Sequence, residues 1–119
     1  MIIDERTYTI QPTHVWDYID LYEKMGLKVQ TRILKGLIGF YSVEIGDVNH
    51  LVHMWSYDSI GERDRLRTEL WRNEEWLAYV DALRQTGWLL HQSNRILVPQ
   101  LLPTGERAPT HHAIMAQAR

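Results

Sequence analysis

The sequence predicts an α+β fold in which helices cover one face of a four-stranded antiparallel sheet. Three observations carry this: two-residue alternation at the start of the chain and a last strand near its end, a β-hairpin in the middle, and an amphipathic helical segment on either side of that hairpin. The resulting order, β-α-β-β-α-β, is the ferredoxin-like arrangement.

Ile2 to Ile10 sets Ile2, Asp4, Arg6, Tyr8 and Ile10 on one side and Ile3, Glu5, Thr7 and Thr9 on the other, and its Ile, Thr and Tyr content suits a half-buried strand. After Pro12 and Thr13, the residues Val15, Ile19, Tyr22, Met25 and Val29 recur at helical steps, with Gly26 placed to interrupt the helix while the same apolar face resumes beyond it. Gly36 to Ile45 and His50 to Tyr57 read as strands, joined by the turn-forming Gly46-Asp47-Val48-Asn49. Gly36 and Gly39 inside a strand imply a bulge or a close backbone approach.

Ser59 and Glu62 have the spacing of a capping box and begin a helix that carries Ile60, Leu66 and Leu70 inward. Arg63, Arg65, Arg67 and Arg72, interrupted by Asp64 and Glu69, are read as a solvated face with local ion pairs. Asn73 caps a second helical piece whose stripe is Trp76, Tyr79, Val80 and Leu83. Gly87 ends it, and Trp88 to Val98 is the last strand. Residues 1–99 thus form the folded domain, and the proline-containing stretch 100–119 forms a C-terminal arm or tail.

A chain of 119 residues with 45% hydrophobic content suits one domain with a modest core. With no cysteine, disulfides, thiolate metal sites and a thiol nucleophile are excluded. A formal net charge of −2 with both signs interspersed favours neither nucleic acid nor an anionic membrane as partner. The chain opens directly on Ile2-Ile3-Asp4-Glu5-Arg6 and contains no membrane span, which sets the expectation of a cytoplasmic protein, with an intracellular organelle as the alternative. Bulky groups occupy both sides of every strand, so the face without helices is expected to be buried in a homodimer.

His53 shares a strand face with Trp55 and Tyr57, which makes it the candidate acid/base group; the plain alternative is a buried histidine satisfied by a cross-strand partner. His50 lies three residues away and so on the opposite face, so the two cannot chelate one ion, and no metal site is expected. His111-His112 reads as solvated tail. Arg6 needs a partner on a buried face, with Glu44 and Arg95 the candidates for pairing the Arg6 and Glu5 charges. In a functional reading, Arg6, Tyr8, Tyr41, Trp55 and Gln92 join His53 in a cleft that holds the carboxylate or phenolate of a small substrate. Trp71 and Trp76 bracket the break between the later helices and are the candidate aromatic lid, core packing being the alternative.

In order along the chain, Asp4-Glu5-Arg6-Thr7-Tyr8-Thr9, Gly36-Leu37-Ile38-Gly39-Phe40-Tyr41 with Glu44-Ile45-Gly46, His53-Met54-Trp55-Ser56-Tyr57 with Glu62-Arg63, Trp76-x-x-Tyr79 and Gln92-Ser93-Asn94-Arg95-Ile96-Leu97-Val98-Pro99 resemble the NIPSNAP family. The resemblance covers residues 2–99 and departs at Thr13, where the family often has glycine, and at Ser93, where an acidic residue is expected. It implies a dimeric α+β barrel. The wider superfamily includes cofactor-free monooxygenases, isomerases, dehydratases and haem proteins, and animal members of the family are associated with mitochondria and vesicle traffic. These resemblances imply a small aromatic or acidic metabolite as ligand. A haem protein with His53 and His91 as axial ligands, and a non-enzymatic interaction module using the arm, are the alternatives.

Overall fold

A computed structural model describes residues 1–108. The elements in order are β1 (Ile2–Ile10), α1 (Val15–Met25), α2 (Leu27–Leu34), β2 (Leu37–Ser42), β3 (His50–Tyr57), α3 (Ile60–Leu70), α4 (Glu74–Thr86) and β4 (Leu89–Leu97). They build one sheet in the order β2-β3-β1-β4, antiparallel throughout, as the ferredoxin-like order requires.

The alternation in β1 and β3 sorts the sheet into two faces. Asp4, Arg6 and Ile10 on β1 and Leu51, His53, Trp55 and Tyr57 on β3 are buried, and they lie against Tyr18 and Tyr22 of α1, Val29, Ile33 and Leu34 of α2, Leu66 and Leu70 of α3, and Trp76, Tyr79 and Val80 of α4. The other face presents Ile3, Glu5, Thr7, Val52, Met54 and Ser93, with no helix of the described residues over them.

Helix boundaries follow local chemistry. Gly26 separates α1 from α2, and a Cβ there would press on the rings of Tyr22 and Tyr79. The Ser59 side chain accepts from the Glu62 amide at 3.1 Å, and Asn73 does the same for Trp76 at 3.1 Å, satisfying otherwise orphaned helix donors. Glu62 turns its carboxylate to Arg65 instead of back to Ser59, so one half of the capping box forms. Gly87 closes α4 at φ 68°, a left-handed conformation that glycine adopts freely.

Several sequence expectations change. β2 is shorter than Gly36 to Ile45, and the connection to β3 is a longer loop in place of a tight turn. Ile60 is half exposed; the inward stripe of α3 is Arg63, Leu66, Arg67 and Leu70. Thr13 stands at φ 77°, the conformation for which the family's glycine is suited and which a β-branched residue rarely adopts. Part of the C-terminal stretch folds back on itself through a bridge between Leu101 and Arg107, and Ala108 is buried. The expectation for His111 and His112 lies outside the described residues.

The bulge expected from the glycines lies between Leu37 and Gly39, where the register against β3 slips by one residue. Gly36 passes so close to the Ser56 carbonyl that a side chain there would collide with backbone. The slip turns Phe40, not Tyr41, toward His53.

Candidate functional site

Between the helix-covered sheet face and the helices lies a cavity of about 410 Å³. Its sheet side comprises Arg6, Tyr8, Phe40, His53 and Gln92; Tyr18, Tyr22 and Gln30 line it from α1 and α2, and Arg67, Trp71, Trp76 and Tyr79 from the later helices. Four of the sequence-predicted residues therefore come together: His53, Arg6, Tyr8 and Gln92. The two candidate lid tryptophans join them, ring edge to ring face at a centroid distance of 6.2 Å.

Tyr41 and Trp55 do not line the cavity. Beyond the bulge, Tyr41 falls on the bare face, where its ring folds back over Gly39. Trp55 lies on the right face but is buried beside His53, with its Nε1–H donating to His53 Nδ1 at 2.8 Å.

His53 is 2% exposed, its ring stacked on Phe40 at 5.1 Å and met edge-on by Tyr8 at 4.8 Å. Burial, reinforced by the positive charge of Arg6, lowers its pKa from 6.5 to about 3, so the ring is neutral near pH 7. Its Nε2 has no hydrogen-bond partner among the described residues, and neither does Nε1 of the cavity-lining Trp76.

Arg6 finds its partner two residues back along its own strand instead of in Glu44. Asp4 is fully buried and accepts from Arg6 Nη1 at 3.1 Å, from Arg63 Nε at 3.0 Å and from Asn94 Nδ2 at 2.9 Å, which ties β1, α3 and β4 together. Burial alone would raise the Asp4 carboxyl, but the Asn94 hydrogen bond and the two guanidinium charges outweigh it and hold the pKa below 3.8. Burial likewise opposes the charge on Arg6, and Tyr8 and Asp4 more than restore it. The predicted Glu5–Arg95 pairing does form, at 2.7 Å, on the bare face.

The sequence pattern presents Arg63 and Arg67 as a solvated face, yet Arg63 reaches the buried Asp4 and Arg67 lines the cavity. The signal was present: 63, 66, 67 and 70 share one helical stripe, so the two arginines lie on the same side as Leu66 and Leu70. Burial and the nearby charges of Arg6 and Arg63 push Arg67 below its ordinary value. Among the described residues Arg67 makes no ion pair. Arg65, by contrast, pairs with Glu62 and Glu69 at the surface, as read.

The site does not fit a haem held by two histidines. His91 pairs with Thr9 and shares the bare face, opposite His53. Because Trp55 N–H is bonded to Nδ1, neutral His53 carries its proton on Nε2, which then lacks the lone pair a ligand to iron needs. Ser93, the second departure from the family pattern, pairs with Thr7 on the bare face and does not touch the cavity.

Comparisons with known proteins agree with this architecture. A NIPSNAP-like domain protein from Burkholderia xenovorans superimposes with a TM-score of 0.80 at 30% identity, covering 93% of this chain and 96% of that one. An antibiotic biosynthesis monooxygenase shares the fold at a TM-score of 0.56 and 16% identity, over 82% of this chain and 97% of the other. Human NipSnap homolog 3A is 31% identical over 72 residues, 60% of this chain but 28% of that protein, so the match spans less than a third of the relative's length. The NIPSNAP family model matches residues 3–102 in sequence, and on that match the chain belongs to the NIPSNAP family.

Proposed function

We propose that this chain binds, and acts upon, a small aromatic metabolite carrying an anionic oxygen, in the cavity between sheet and helices. One observation carries the reading: among the described residues Arg6, Arg67 and Arg84 line the cavity, and no Asp or Glu does. Behind that wall Arg6 and Arg63 share the buried carboxylate of Asp4, Arg63 also meets the exposed Asp64 at 3.5 Å, and Arg67 has no acid partner among the described residues, which leaves the cluster positive. A carboxylate, phenolate or enolate entering the cavity would meet unneutralised guanidinium charge away from bulk water, where such contacts are strongest. Phe40, Trp71, Trp76 and Tyr79 supply aromatic surface for the body of the ligand.

The chemistry such a site lends a substrate is stabilisation of negative charge on oxygen. Oxygenation, isomerisation and dehydration of aromatic or acidic metabolites are the reactions to assay, oxygenation first because of the structural likeness to a monooxygenase. Calorimetric titration with benzoate, phenylacetate and benzamide tests the binding reading. Both carboxylates should bind about tenfold or more tightly than the neutral amide, and Arg67→Ala should erase that preference. Equal affinity for benzoate and benzamide would overturn it.

The bare face is assigned to a second copy of the chain. Ile3, Val52 and Met54, with Tyr41 beside them, form an apolar strip interrupted by the Glu5–Arg95 pair, as suits a face that packs on a copy of itself. Light scattering should return twice the chain mass, reduced to one chain by Met54→Glu; a native chain that runs as a monomer at micromolar concentration refutes this assignment.

A further inference from the structure

We propose that His53 serves the cavity as a neutral Nε2–H donor to an acceptor oxygen of the ligand, held in that tautomer by Trp55, and not as a base. The inference rests on the anionic-ligand reading and specifies the group that receives the ligand's oxygen. It begins with a donor that has no alternative role: indole Nε1–H can only donate. At 2.8 Å from His53 Nδ1 in a buried setting, it requires a lone pair on Nδ1, and the single proton of the neutral ring therefore sits on Nε2.

That Nε2–H is buried and lacks a partner among the described residues, although a buried donor left unpaired costs free energy comparable to a lost hydrogen bond. His53 lies directly across from Arg6 in the β1–β3 pairing, and both residues line the cavity. The sheet thus offers a charged donor and a neutral one side by side. On the helical side, Trp76 Nε1–H is a second buried, unpartnered donor belonging to a cavity residue. Two buried donors without acceptors, on residues that line a cavity with no carboxylate among its described lining residues, select for a ligand rich in acceptor oxygens, such as an aromatic carboxylate with a further carbonyl or phenol oxygen.

The arrangement also assigns Trp55 a role as a positioning residue. It sits two places along the same strand, does not line the cavity, and acts on the ligand only through the imidazole.

Long-range ¹⁵N–¹H correlation spectra of the free, uniformly labelled protein at pH 7 test the tautomer without any ligand. The His53 pattern, assigned by its disappearance in His53→Gln, should be that of the Nε2–H form. A Nδ1–H or imidazolium pattern would overturn the proposal. Trp55→Phe, which removes the indole donor, should convert the pattern to a mixture of tautomers.

Benzoate titration then tests the donor. His53→Leu should weaken benzoate by about tenfold, the worth of one hydrogen bond to a charged group, while His53→Gln, which retains an N–H, should stay within about threefold of native. Equal affinity of folded His53→Leu and native protein overturns the donor role. If His53→Leu fails to fold by circular dichroism, the Trp55→Phe protein replaces it, and unaltered benzoate affinity alongside a mixed tautomer is the overturning result. A native protein that shows the Nε2–H form but binds no benzoate overturns the anionic-ligand reading and leaves the tautomer assignment standing.

Discussion

The two faces of this sheet carry the same kind of ion pair in opposite settings, and β1 supplies the acid of both. Asp4 points under the helices, fully buried, and is shared by Arg6, Arg63 and Asn94. Glu5, its neighbour in sequence, points to the bare face and meets one arginine, Arg95, whose side chain is 70% exposed. Under the helices the charges are largely stripped of water and depend on one another; on the bare face of a single chain water and salt screen the pair. Identical chemistry therefore specifies the interior arrangement in one place and contributes little in the other.

That contrast sets an order of expected effects. Asp4→Ala should be the most damaging, costing about 3–5 kcal/mol in urea unfolding, because Arg6 and Arg63 are left buried without their carboxylate. A cost below about 1 kcal/mol would mean that the interior cluster is as well hydrated as the surface pair.

Next comes acid sensitivity on the helix-covered face. His53 is neutral in the folded chain down to about pH 3, whereas an unfolded histidine takes up a proton near 6.5. Between those values the unfolded state binds more protons, so stability is full above about pH 6.5 and is lost as pH falls toward 3, at up to about 1.4 kcal/mol per pH unit from this residue. Asp4, with a depressed pKa, adds its own loss only below 3.8. Stability measured from pH 6 to 4 in native and His53→Gln protein should differ in slope by up to one proton; parallel curves would mean that the histidine is solvated.

A change that touches neither face calibrates both. Thr13→Gly relieves a left-handed threonine worth about 1–2 kcal/mol of strain against about 0.5–1 kcal/mol of added chain entropy, so a net gain of between about 0 and 1.5 kcal/mol is expected in thermal unfolding. Smallest of all, Glu5→Gln should cost between about 0 and 1 kcal/mol in a single chain, less at high salt. A larger loss that also lowers the molecular mass would tie the pair to assembly instead of chain stability.

The sequence made the elements legible because their signals are local. Ser59, Asn73 and Gly87 mark helix ends by the chemistry of one turn, and the alternation of β1 and β3 sorts their side chains without reference to any other element. The site was half legible for the same reason. His53, Arg6, Tyr8 and Gln92 share a face by strand parity alone. Tyr41 was misplaced because one inserted residue between Leu37 and Gly39 reverses parity for the rest of β2. A charged residue on a helix reads as solvated until a buried acid is known to face it, as Asp4 faces Arg63, or a cavity to open beside it, as beside Arg67.

From the sequence alone come the order of elements, the capped helix ends, the two faces of each regular strand and the family resemblance, since all of these depend on neighbours within a few residues. Only the tertiary structure decided that Asp4 collects donors from α3 and β4, that Phe40 replaces Tyr41 against His53, and that Trp55 donates to the imidazole instead of walling the cavity. Those outcomes depend on distances between segments far apart in the chain, and on which charges are stripped of water together.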